Sequence, residues 1–262
     1  MKTVNFKVAL MMAAVIGSTA FVSCSSDDEE SPKGGGMTSK RIAKMTWSDG
    51  SKIETTTFSY DAQGRVVKVI ETDMRGGSES STTTTTYTYG GNTIISKAHY
   101  VSGNYENEET HTYTLSDGLI VKEVENYTSG SSYSSYTNTY NYTYDSNGYL
   151  KTKDRDVEFT WTDGNLTKWD RGDYMYTVSY SDISWPQYYM AYINGTSIDL
   201  FLEPLGVWGK MPKNLPKKMV RVYSDGETEA YTIDYTVENG EITKCISQHN
   251  DGYTEIITFE WK

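Results

Sequence analysis

The chain alternates aromatic and small polar residues in short runs that recur along its main body. The runs are TTTFSYD (55–61), TTTYTYG (84–90), THTYTLSD (110–117), TYNYTYD (139–145), VEFTWTD (157–163), YMYTVSY (174–180), YTIDYTV (231–237) and EIITFEW (255–261). A period of two places the aromatics on one face of an extended strand and Thr, Ser, Asn or Asp on the other. Such a strand has one buried face and one wet face, so the chain is confined to all-β architectures.

Turns follow these runs: DAQG, YGGN, SDG, DSNG, TDGN and ENG. Asp and Asn tolerate left-handed backbone and bond locally, and Gly takes positive φ without a Cβ clash. A second strand type comes next, with Lys or Arg shortly after one or two aliphatic residues: Lys44, Lys68, Lys97, Lys122, Lys151, Lys168, Arg221 and Lys244. Strand, turn and strand repeat as about eight hairpins, or about sixteen strands. Folding LIVKEVEN back on TYNYTYD puts Leu119 opposite Tyr144, Val121 opposite Tyr142 and Lys122 opposite Asn141. The aromatic face is then the core face, and a slip of one residue would bury the lysines. The expected fold is a curled antiparallel meander, an open or closed barrel-like roll spanning 39–262.

The rhythm breaks at an insertion, 182–216. Residues 181–218 hold four of the five prolines and two of the six tryptophans. A structureless loop this long is uncommon without a task, and one short helix or strand is expected around Ile198 to Leu202. About sixteen strands at ~4.8 Å spacing make a strip too wide for its own side chains to fill when closed. The insertion has the apolar material to pack on the concave aromatic face, with Trp185, Tyr188, Tyr189 and Trp208 as plug or ligand-groove candidates.

Residues 1–23 have signal-peptide grammar: Lys2 and Lys7, then an apolar run from Val8 to Val22 too short to span a bilayer comfortably. Phe-Val-Ser-Cys, ending at Cys24, resembles the lipobox of bacterial lipoproteins, which implies that Cys24 carries a diacylglyceryl anchor. Asp27, Asp28, Glu29 and Glu30 resemble the export tag of Bacteroidetes-type surface lipoproteins, and also suit a solvated tether, 24–38, with Gly34, Gly35 and Gly36. The resemblance implies an outer-membrane address, lipid-anchored and facing outward. The phrases YDAQGRV (60–66) and YDSNGYL (144–150) resemble the YD-repeat consensus of secreted β-hairpin proteins. Lipobox, acidic tag and repeats together resemble a Bacteroidetes lipoprotein family of unknown function described as having a porin-like fold.

Cleavage before Cys24 would remove Lys2 and Lys7 and take the formal charge from −11 to −13. An acidic chain without a basic patch has nothing to displace counterions from phosphates, which argues against nucleic acid. The sequence has no HExxH, GxSxG, Walker loop or Cys-x-x-Cys, and it points to no catalytic residues, cofactor or metal site. Cys245, in a strand pattern, reads as a buried inert thiol. His99 and His111 fall on opposite faces of one hairpin, NYENEE (104–109) reads as a solvated hairpin tip, and Arg171-Gly172-Asp173 reads as a turn. The function expected is a surface-anchored binding or interaction module, for a glycan or another surface protein, with the 23 tyrosines available at rims to stack on sugar rings. An extracytoplasmic hydrolase with an unidentified carboxylate pair is the second reading. An outer-membrane pore is the third, disfavoured because the wet face offers lipid no apolar band.

Overall fold

The computed structural model describes residues 40–130, 135–154, 157–185 and 199–262. The segment read as a signal peptide (1–23), Cys24, the acidic residues Asp27 to Glu30, Tyr188 and Tyr189 lie outside them. The strands are β1 Ile42–Ser48, β2 Lys52–Tyr60, β3 Val66–Arg75 and β4 Ser78–Gly90, then β5 Thr93–Ser102, β6 Tyr105–Ser116, β7 Leu119–Ser129 and β8 Ser135–Tyr144. They continue as β9 Leu150–Lys153, β10 Val157–Thr162, β11 Asn165–Asp170 and β12 Tyr174–Ser184, then β13 Asn214–Tyr223, β14 Thr228–Glu238, β15 Glu241–His249 and β16 Thr254–Trp261.

Each strand pairs with its neighbours in the chain, and antiparallel β1 and β16 close the sheet into a sixteen-stranded barrel. Of the open and closed forms that the sequence allows, the closed one is found. At the seam Met45 faces Phe259 and Trp47 faces Ile257, and Arg41 and Lys262 exchange two backbone hydrogen bonds of 2.7 Å. Closure leaves no unpaired edge.

The aliphatic–basic rhythm corresponds to a recurring bulge. Strands β1, β3, β7, β9, β11, β13 and β15 each shift register near their first residues. The extra residue lets positions three apart both face inward. Ile42 and Met45, Val66 and Val69, Ile120 and Glu123, Leu150 and Lys153, Leu166 and Trp169, Pro216 and Met219, and Ile242 and Cys245 are all buried.

At each of these bulges an aromatic on the partnered hairpin strand donates to the first carbonyl. Tyr60 Oη donates to Ile42 O, Tyr89 to Val66 O, Tyr144 to Ile120 O, Tyr180 to Leu166 O and Tyr235 to Pro216 O. The indoles of Trp161 and Trp261 do the same for Leu150 O and Ile242 O. The β5–β6 hairpin has neither feature: its ladder is regular, and Leu115 sits where the others carry a polar-tipped aromatic. The tyrosines therefore bury a ring and also satisfy a carbonyl that the bulge has taken out of the ladder.

Two register expectations need correction. Lys122 does face Asn141, but the bulge turns Ile120 inward, fully buried, in place of Leu119 and Val121. Arg221 is not on the wet face. It is buried, with its guanidinium 4.1 Å from the ring of Tyr174 and 4.3 Å from that of Tyr223. It pairs with the inward Tyr176 and lies two residues after the buried Met219, so regular alternation places it inside; the outward basic residue beside the β13 bulge is Lys218.

Within the insertion, Leu200–Leu205 form a 3-10 helix capped by the Asp199 carboxylate, which accepts from Phe201 N at 3.0 Å. Phe201, Leu202, Val207 and Trp208 belong to the same buried cluster as the inward aromatics of the strands. Phe201 packs edge-on to Phe58 and Tyr87, and Trp208 to Tyr113 and Tyr142. The chain then follows the barrel rim: Ile120 N donates to Val207 O, Lys210 N to Gly148 O, and Lys213 N to Gly164 O.

Candidate ligand-binding cavity

Inward positions change character along the strands. Beside the turns that open these strands, Asp61–Gly64 and Asp117-Gly118, they are apolar: Val66 and Val69 on β3, Ile120 on β7. Towards the opposite end they become Glu71 and Asp73 on β3, and Glu123 and Glu125 on β7, all buried. The segment from Asp199 fills the apolar half. The polar half keeps a cavity of about 480 Å³, within the range of small-molecule sites.

Its floor is aromatic. Tyr87 and Tyr113 donate their hydroxyls to the Asp199 carboxylate at 3.1 and 3.3 Å, and Phe201 lies beside them. Burial pushes the Asp199 carboxyl up to about 6, against the pull of His111 and these hydroxyls.

The walls are acidic, and most of the acids have partners. Lys52 bridges Asp73 at 2.5 Å and Glu54 at 3.0 Å. His111 sits between Glu109 at 3.0 Å and Glu123 at 2.7 Å. Burial opposes the imidazolium charge, yet those two carboxylates hold His111 up at about 10. Glu123 also accepts from Tyr142 Oη and lies 3.8 Å from Lys153.

Glu71 is different: 9% exposed, on the cavity wall, and without a hydrogen bond or ion pair among the described residues. Burial raises its carboxyl to about 8, helped by the charges of Glu54, Asp199 and Asp73.

Beside the cavity, β5 to β8 present a tyrosine cluster. Tyr100 and Tyr127 line the cavity. Tyr105 packs edge-on to Tyr100, its hydroxyl 3.0 Å from that of Tyr127, and Tyr136 stacks on Tyr127 with ring centres 5.0 Å apart. Tyr105 and Tyr136 are exposed.

Of the groove candidates, Trp208 is buried in the apolar half, 2% exposed, and Trp185 is half-buried at the rim, its backbone N–H donating to Lys213 O. Neither lines the cavity. The insertion reaches it through Asp199 and Phe201 instead. His111 points in and His99 is exposed on the other face. NYENEE is a solvated tip only in part: Asn104, Tyr105, Glu106 and Glu108 are exposed at the hairpin turn and the start of β6, whereas Asn107 and Glu109 face the cavity. Cys245 is buried, and Gly172 takes φ 82 in the turn between β11 and β12. Among the described residues no group of three or more His, Cys, Asp or Glu could hold a metal ion.

The wall acids went unsingled in the sequence, although a signal was present. The register that puts Lys122 opposite Asn141 puts Glu123 opposite Tyr140, on the core face.

Residues 58–244 match the family described as "Domain of unknown function (DUF4595) with porin-like fold". No curated protein matches the chain. The crystal structure of a porin-like protein from Bacteroides uniformis ATCC 8492 is similar, with a TM-score of 0.58 at 18% identity, covering 84% of this chain and 96% of that one. A porin-like protein from Bacteroides vulgatus ATCC 8482 aligns at 12% identity over 84% of this chain and 98% of that one, with a TM-score of 0.36. The first likeness shows the fold.

Proposed function

We propose that this chain, which belongs to the DUF4595 family with a porin-like fold, is a surface-anchored lipoprotein that binds a glycan-class ligand at the tyrosine-rimmed cavity. The observation that carries this is the cluster of Tyr100, Tyr105, Tyr127 and Tyr136 beside a cavity of about 480 Å³. Aromatic faces stack on sugar rings, and Ser, Thr and Asn on the cavity wall supply hydrogen bonds to hydroxyls. The anchor would be Cys24, the tether 24–38, and the address the outer face of the outer membrane.

Transport through the lumen is less well supported. The apolar half of the barrel is filled by the 199–208 segment. The outward face of β4 is Thr82, Thr84, Thr86 and Thr88, and that of the next hairpin includes Lys97, Thr110, Thr112 and Thr114. A membrane barrel needs an apolar band there. Hydrolysis has little support either, since the cavity carboxylates other than Glu71 are engaged by Lys52, His111 or tyrosine hydroxyls.

Residues 25–262, purified without detergent and applied to a glycan array, should retain a defined glycan class. The double variant Tyr105→Ala, Tyr127→Ala should weaken that binding by at least about tenfold. An array with no signal, or binding indifferent to both tyrosines, overturns the glycan reading. Cys24→Ser should release the protein from the membrane fraction, and unchanged partition would remove the anchor. Protease shaving of intact cells tests the outward orientation, and a protected protein would place it on the periplasmic side.

A further inference from the structure

The cavity carries an imbalance of charge that its own residues do not resolve. Six carboxylates line it, from Glu54, Glu71, Asp73, Glu109, Glu123 and Asp199. The cations within ion-pair reach of them are Lys52, His111 and Lys153. Five of the six have a cation or a hydroxyl donor against them. Glu71 is buried, faces the cavity, and has none among the described residues. A buried carboxyl without a donor is costly to retain, and an added cation would remove that cost.

We propose that the cavity takes a ligand bearing a protonated amine, and that Glu71 is the residue that receives the ammonium group. This rests on the cavity being the binding site and adds the charge class of the occupant. Asp73 and Glu54, bridged by Lys52 beside Glu71, and Asp199 below supply further negative potential, while His111 on the opposite wall is itself neutralised by Glu109 and Glu123. The aromatic rings of Tyr87 and Phe201 line the cavity next to these acids. An ammonium at Glu71 favours its ionised form, so binding near neutral pH moves the carboxyl proton to the buffer and leaves the ligand's ammonium and the Glu71 carboxylate as an ion pair in the cavity.

The test is titration calorimetry of residues 25–262 with three probes: glucosamine, its uncharged counterpart N-acetylglucosamine, and 1,6-diaminohexane. Both amines should bind, with N-acetylglucosamine at least about tenfold weaker. Glu71→Gln should fold normally, because it removes a carboxyl that burial disfavours, and should lose at least about tenfold in amine affinity. Titrations at pH 7 in two buffers of different ionisation enthalpy should show proton release that Glu71→Gln abolishes. N-acetylglucosamine binding as tightly as glucosamine would overturn the amine assignment and leave the binding cavity standing. Failure of both amines, or binding unaffected by Glu71→Gln, also overturns it, and the glycan array then judges the cavity by itself. Calcium chloride is titrated in parallel; tight calcium binding lost in Glu71→Gln would mean a metal site in place of an amine site.

Discussion

The indole of Trp208 donates to the backbone carbonyl of Asp199 at 2.7 Å, bending residues 199–208 back on themselves inside the barrel. The ring then meets Tyr142 and Tyr113 edge-on, with centres 5.0 and 5.9 Å away. Trp208→Ala removes the clamp and leaves a cavity, and should cost about 3–5 kcal/mol of stability. Denaturant unfolding measures it; a loss below about 1 kcal/mol would mean that the barrel does not depend on this segment.

The aromatic-to-bulge bonds should be individually modest and repeatable. Tyr89→Phe, Tyr144→Phe and Tyr180→Phe each delete one hydroxyl donor to a bulge carbonyl. Each should cost about 0.5–1.5 kcal/mol, rising towards 3 where the carbonyl stays dry. Chemical denaturation of the three variants decides it, and three unchanged midpoints would make the bonds incidental.

Gly209 and Gly206 form a matched pair. Both take positive φ, 82 and 69. A Cβ at Gly206 meets nothing within 4 Å, whereas at Gly209 it would lie 2.5 Å from Gly148 O and 3.0 Å from Tyr144 Cε1. Gly206→Ala should cost about 1 kcal/mol from backbone strain alone. Gly209→Ala should cost clearly more, since it also pushes the rim segment off Gly148. Equal melting temperatures for the two variants would contradict that contact.

Glu203 gives a pH dependence with a definite sign. Both carboxyl oxygens are buried without a hydrogen-bond partner among the described residues, and burial, with the charge of Asp199, raises its pKa well above the ordinary value. A raised carboxyl favours the folded state while protonated, so its stabilisation is full below the unfolded value of 4.5 and is lost as pH rises above it. Glu203→Met should therefore be more stable than the parent by about 1–3 kcal/mol, with the gap widening from pH 5 to pH 8. Melting curves across that range test it, and a gap that narrows with pH would refute the assignment.

The sequence showed the alternating strands, the hairpin turns and the core role of the tyrosines, because each is local. Phe58 and Tyr60 share a face whatever the rest of the chain does, and Gly64 takes φ 77 because the turn requires it. The bulges are not legible in the sequence, for a physical reason. An inserted residue breaks the alternation, so Ile120 and Glu123, three apart on either side of the extra Val121, both turn inward where simple alternation would send one of them out.

The cavity was legible only in part. That Glu123 shares a face with Tyr140 follows from pairing. That Asp199 accepts from Tyr87, 112 residues away, follows from nothing local. By itself the sequence determined the strand period, the turns and which face of most strands is apolar, because steric and hydration preferences act over a few residues. Only the tertiary structure decided that β1 meets β16, that residues 199–208 fill one half of the lumen, and that Glu71 faces the other half without a partner among the described residues. Closing the sheet brings together side chains from strands far apart in the chain, and which charges meet across a lumen depends on that closure.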